Sequence, residues 1–108
     1  MNGLTGEKIW IDDSRPAPKG YRWCKTYKSA IATINYFSVC EGGIDEICFD
    51  HDIRCTYSGY DIAKYLIENN ISIGGYSVHS MNPVGRRNII DLLSHYGYKY
   101  IVPEYMKN

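Results

Sequence analysis

The chain holds 108 residues, 44% of them apolar, with 12 basic and 12 acidic side chains and no formal net charge. That length makes one domain around a single core, and the apolar content with evenly mixed charge argues against disorder. Zero net charge excludes bulk attraction to nucleic acid or to an anionic membrane, and no stretch approaches the ~20 apolar residues that span a bilayer.

Residues 1–8 carry no signal-peptide core, so a cytoplasmic protein is expected. Cys24, Cys40, Cys48 and Cys55 lack zinc-knuckle spacing and read as reduced, structural thiols. Lys8-Ile9-Trp10-Ile11 is a short strand that ends on Asp12-Asp13. Residues 14–20 contain two prolines and a glycine and form a loop rather than a helix. Tyr21-Arg22-Trp23-Cys24 alternates polar with apolar and reads as an edge strand. Thr26 caps a helix whose apolar face is Tyr27, Ala30, Ile31, Ile34 and Phe37. Glu41-Gly42-Gly43 ends it, and Ile44-Asp45-Glu46 leads into the central strand, Ile47-Cys48-Phe49, which runs directly into Asp50-His51-Asp52.

Residues 53–57 form a loop, and Ser58 starts a second helix with Asp61 placed to return a capping bond. Ile62, Ala63, Leu66 and Ile67 make its inner face, and Asn69-Asn70 stops it. Residues 71–78 contain a strand, with Gly74-Gly75 before or within it, that ends on His79-Ser80. Asn82-Pro83 is a helix start; Ile89, Ile90, Leu93 and Tyr96 face inward, and Gly97 is the left-handed terminator. Residues 98–102 form the last strand, closed by Pro103.

Strand alternating with helix gives a mostly parallel sheet under covering helices, and right-handed crossovers bring all strand carboxyl ends to one edge. Asp12-Asp13, Asp50-His51-Asp52 and His79-Ser80 therefore converge there, where ligands of open α/β sheets bind. Clustered carboxylates repel unless a cation or proton lies between them. Asp12, Asp13, Asp50 and Asp52 offer hard oxygen donors suited to Mg²⁺ or Mn²⁺. Side-chain alternation lets Asp50 and Asp52 share a side and leaves one of Asp12 and Asp13 as the close ligand. His51 and His79 exchange protons near neutral pH; His95 is a solvated last-turn residue. The start of the helix at Asn82, with Gly85 and Arg86, suits an anion, and Arg15 approaches from the opposite loop. Tyr60 and Tyr57 flank the site and could stack a base. The plainer reading is acids that cap helices and bond the Arg15 loop, structural histidines and surface arginines.

The order of parts resembles the receiver domain of two-component signalling, which implies a flavodoxin-like three-layer sheet of order 2-1-3-4-5, here with its first helix replaced by the loop through Gly20. His79 stands at or beside the usual Ser/Thr position, and Val102 rather than lysine precedes Pro103. A closer resemblance is to the receiver-like family of cyclic-phosphate-processing receiver domains. It is carried by Ile9-Trp10-Ile11-Asp12-Asp13 with Arg15-Pro16, Asp50-His51-Asp52, Ser58-Gly59-Tyr60-Asp61, Val78-His79-Ser80 and Asn82-Pro83-Val84-Gly85-Arg86, and it covers residues 8–102. It implies a metal-assisted site acting on cyclic or terminal phosphates of nucleotides or RNA.

The expected function is thus a phosphoesterase using Mg²⁺ or Mn²⁺. Asp12, Asp13, Asp50 and Asp52 hold the ion; Asp50, His51 and His79 are catalytic; Arg15, Ser80, Asn82, Arg86 and Tyr60 bind the nucleotide or RNA-end phosphate. The rivals are a module that sequesters a nucleotide unaltered and a degenerate receiver acting as a protein-interaction switch.

Overall fold

A computed structural model describes residues 6–53 and 57–107; the middle of the loop expected at 53–57, with Cys55, and the first five residues lie outside it. Four strands, β1 (Glu7–Ile11), β2 (Arg22–Cys24), β3 (Ile44–Phe49) and β4 (Gly75–Val78), form a parallel sheet of order β2-β1-β3-β4. Three helices, α1 (Tyr27–Ser38), α2 (Gly59–Glu68) and α3 (Pro83–His95), connect them.

The helix starts follow from short-range bonds. Thr26 accepts from the Ser29 amide and Ser58 from the Tyr60 amide, each within a reciprocal capping box. Asn82 accepts from the Gly85 amide with Pro83 at the first helical position. Asn70 and Gly97 stop their helices in the left-handed conformation, at φ 53° and 88°. Tyr96, expected to face inward, is 57% exposed, because α3 ends at His95 and Tyr96 lies past the last helical turn.

Strand alternation divides the sheet into unlike faces. Ile9, Ile11, Ile47, Phe49, Tyr76 and Val78 pack with Ala30, Ile34, Ile62, Leu66, Ile89 and Leu93 into one core. The helices form one contiguous layer on that face, α1 against α2 and α2 against α3. The other face carries Trp10, Glu46, Cys48 and Ser77, all buried. Among the described residues no helix covers it, so the expected third layer consists of the loop after β1 and a 3-10 turn at Glu104–Met106.

The expected fifth strand is reduced to a single parallel bridge, Tyr76 to Tyr100, in its expected place beside β4. The Ile101 side chain crosses Gly75, where an added Cβ would stand 2.5 Å from it. The chain then leaves the sheet edge, and the Glu104 amide reaches Glu46 on β3. Cys24, Cys40 and Cys48 are free thiols. No helix among the described residues is long and apolar enough to cross a membrane.

Candidate functional site

The ladder continues one residue beyond three strands. Asp12 donates its amide to Cys24 (3.1 Å), Asp50 to Ile11 (3.1 Å) and His79 to Phe49 (2.9 Å). Trp10 pairs with Cys48 and Cys48 with Ser77 in register, so the next residues on the same face are Asp12, Asp50 and His79. One donor atom from each of these three lies within 4.8 Å of the others. The outer two, Asp12 and His79, are 67 residues apart in sequence.

Asp12 is 1% exposed. Its Oδ1 accepts from the amides of Ser14 (2.9 Å) and Arg15 (2.7 Å), and its Oδ2 lies 3.0 Å from His79 Nε2. Burial works to raise its pKa, but these bonds together hold it below the ordinary value. Asp50 is shifted the other way: burial, then the charge of Asp12, raise it, against a bond from Ser80. Burial holds the His79 imidazole below its ordinary value despite the pull of Asp12, so it is neutral at physiological pH. The Arg15 guanidinium sits at the rim, half-exposed, with Nη1 3.4 Å from the His79 carbonyl oxygen and Nε 3.9 Å from Asp12 Oδ2.

Two residues that the sequence placed on strands without a part in the site hold this frame. Trp23 Nε1 donates to the Asp12 carbonyl (2.7 Å), and Trp10 Nε1 donates to the Arg15 carbonyl (2.8 Å). Trp10 also stacks on His79, with ring centroids 3.9 Å apart and planes 3° apart. Cys48 and Ser77, small side chains in the neighbouring register positions, leave room for the indole to reach β4. The signal was available: Trp10 shares the strand parity of Asp12.

Other candidates lie outside the cluster. Asp13 is half-buried and does not join it. Asp52 does not join Asp50 in the cluster; the ladder continues only to Asp50, and past that point alternation no longer applies. Asp52 instead accepts from His51 Nδ1 (2.8 Å) and Asn82 Nδ2 (3.4 Å). The His51 ring lies against Gly85, where an added Cβ would be 2.3 Å from it. Ser80 bonds Asp50 and accepts from the Asn82 amide (3.1 Å), which links the two groups.

The start of α3 is less open to anions than expected. Pro83 has no N–H, and Asn82 takes the Gly85 amide through its side chain and the Arg86 amide through its carbonyl. Arg86 donates to the Tyr100 hydroxyl (2.9 Å) at the sheet edge. Tyr60 packs against the core and lines a hollow with Asn88, Asp91 and His95 along α3; Tyr57 stacks on Tyr27.

The matching family model is the cyclic-phosphate processing receiver domain, over residues 7–95. The chain belongs to this family. No curated protein and no solved structure matches it. In this cyclic-phosphate processing receiver domain, the donor set fits a divalent cation. Two carboxylates 9% exposed or less are not ordinary surface acids, and like charges held this close repel unless a cation or a proton lies between them. The imidazole nitrogen makes the set softer than carboxylates alone, which favours Mn²⁺ over Mg²⁺.

Proposed function

We propose that the domain is a divalent-metal-dependent phosphoesterase that opens a cyclic phosphate, or removes a terminal one, on a nucleotide or RNA end. The observation that carries this reading is the gathering of Asp12, Asp50 and His79 donor atoms within 4.8 Å, with Arg15 at the rim. Asp12 and Asp50 hold the ion through carboxylate oxygens, and His79 holds it through a neutral imidazole. When bound, the ion supplies Lewis acidity at phosphorus and neutralises charge there. Arg15 orients the phosphate through its fork of donors. Asp52 accepts from His51 Nδ1 and so fixes the tautomer, leaving Nε2 to take a proton from the attacking water and return it to the departing ester oxygen. Water adds to phosphorus and one P–O ester bond breaks: a cyclic phosphate becomes a monoester beside a free hydroxyl, and a terminal phosphate leaves as inorganic phosphate.

The test is purified protein with Mn²⁺ or Mg²⁺ against 2′,3′-cyclic nucleotides, cyclic dinucleotides and RNA with cyclic ends. Metal-dependent opening of one class is expected, abolished by EDTA and reduced by at least about 100-fold in Asp50→Ala. Intact substrates across the panel, with folded protein, would remove the enzyme reading. One observation favours a binding-only module: among the described residues the His51 side chain bonds Asp52 and does not join Asp12, Asp50 and His79. Calorimetric binding with the nucleotide recovered unchanged would select that module.

A further inference from the structure

The second face of the sheet holds a cluster that the proposed chemistry does not use. Glu46 on β3 is 5% exposed, and its hydrogen-bond partners are all neutral. It accepts from the Tyr21 hydroxyl and from the Glu104 amide at 3.3 Å, with the Cys48 thiol at 3.7 Å. A buried carboxylate is tolerated only when hydrogen-bonded. These bonds therefore tie the 3-10 turn at Glu104–Met106 to the middle of the sheet.

The tie has a geometric consequence. It sets Tyr105 edge-on to Trp10, with centroids 5.4 Å apart at 84°, and edge-on to Tyr21 at 5.7 Å and 80°. The Tyr105 amide also donates to the Tyr21 hydroxyl at 3.1 Å. Trp10 is 3% exposed and stacks flat on His79. His79 meanwhile has one ring nitrogen on Asp12 and the other, Nδ1, buried without a hydrogen-bond partner among the described residues. Metal-binding histidines are commonly oriented by a hydrogen bond on the second nitrogen. Among the described residues that second bond is missing, and besides the bond to Asp12 the flat indole face is what the ring rests on.

We infer that the C-terminal turn is a positioning element of the site: latched on Glu46 and Tyr21, it sets Tyr105 against Trp10 and so holds the His79 imidazole in plane beside Asp12. The inference rests on the reading of Asp12, Asp50 and His79 as a cation site, and it assigns Trp10, Tyr105 and Glu46 to positioning, not to chemistry.

Two readouts test it, one free of metal. A histidine ring stacked on an indole has its proton resonances shifted upfield by the ring current, which NMR of the metal-free chain reads directly. Electron paramagnetic resonance of free Mn²⁺ gives the affinity. Tyr105 is 40% exposed, and Tyr105→Ala leaves the helical core in place. The expected result is loss of most of the His79 upfield shift and about tenfold weaker Mn²⁺ binding. Tyr105→Phe, which keeps the ring, retains both. Glu104→Pro deletes the amide that bonds Glu46, and Pro103, at ψ 150°, accepts a following proline; it should move both readouts in the same direction as Tyr105→Ala. Wild-type shift and affinity in Tyr105→Ala and Glu104→Pro would overturn the inference. If the unmodified chain fails to bind Mn²⁺ while the shift still responds to Tyr105→Ala, the phosphoesterase reading falls and the positioning role stands.

Discussion

Asp50 and Asp12 sit one strand apart and are displaced in opposite directions. Asp12 is raised by burial but lowered further by two backbone amides and His79, so its ionised form stabilises the fold. That contribution is full above the ordinary 3.8 and is lost as pH falls through the depressed folded value. His79, lowered by burial from 6.5, behaves alike: its contribution is present above 6.5 and declines as acidification protonates it in the folded chain. Asp50 is raised by burial and by Asp12, so ionising it destabilises the metal-free fold, and the penalty grows as pH rises above 3.8. Asp50→Asn should therefore stabilise the metal-free protein at pH 7 by about 1 kcal/mol, about 4 °C or more in Tm for a domain of this size. The gain should shrink towards zero as the pH is lowered to the ordinary carboxyl range. Thermal melts of both proteins between pH 4 and 8 check the sign; a variant that melts lower at pH 7 would contradict the repulsion between Asp50 and Asp12.

Between residue and fold, two glycines set how closely the helices approach the site. Gly59 opens α2 directly behind Asp50: its amide donates to the His51 carbonyl at 2.9 Å, and a Cβ there would stand 2.1 Å from the Asp50 carbonyl oxygen. Backbone cannot yield as a flexible side-chain tip can. Gly59→Ala is expected to destabilise by about 1–3 kcal/mol and to weaken Mn²⁺ binding by moving Asp50, as read by denaturant titration and metal titration on one sample. Gly85 does the same for the His51 ring at the start of α3. The caps beside these glycines, Ser58 with Asp61 and Asn82 with Pro83, were legible in the sequence because each is completed within three residues. The closeness of Gly59 to Asp50 was not, since it depends on how two elements dock.

Taken whole, the domain is lopsided: three helices and an aliphatic core lie on one face of the sheet, and a loop, a turn and aromatic rings lie on the other. The proposed cation site sits at the edge of the aromatic face, assembled from residues that follow β1, β3 and β4 only in the folded state. A ligand that binds the native state alone stabilises it by mass action. Mn²⁺ at about 100 times its dissociation constant should add about 2.7 kcal/mol, on the order of 10 °C in Tm. EDTA should reverse the gain and Asp12→Asn should abolish it. Differential scanning fluorimetry decides this, and an unshifted wild-type melt would count against the metal reading.

By itself the sequence determined the element order as far as α3, the helix caps and the parallel sheet, and it put Asp12, Asp50 and His79 at strand ends. Those features depend on alternation and on bonds between near neighbours. Only the tertiary structure decided that Asp13 and Asp52 stand outside the cluster, that Arg86 turns to Tyr100, that His51 lies under Gly85, and that residues 98–102 pair with β4 at a single bridge. It also decided the stack of Trp10 on His79 and its support by Tyr105. Which rings meet across 69 or 95 residues depends on rotamers and packing volume in the closed fold, and local sequence patterns carry no record of either.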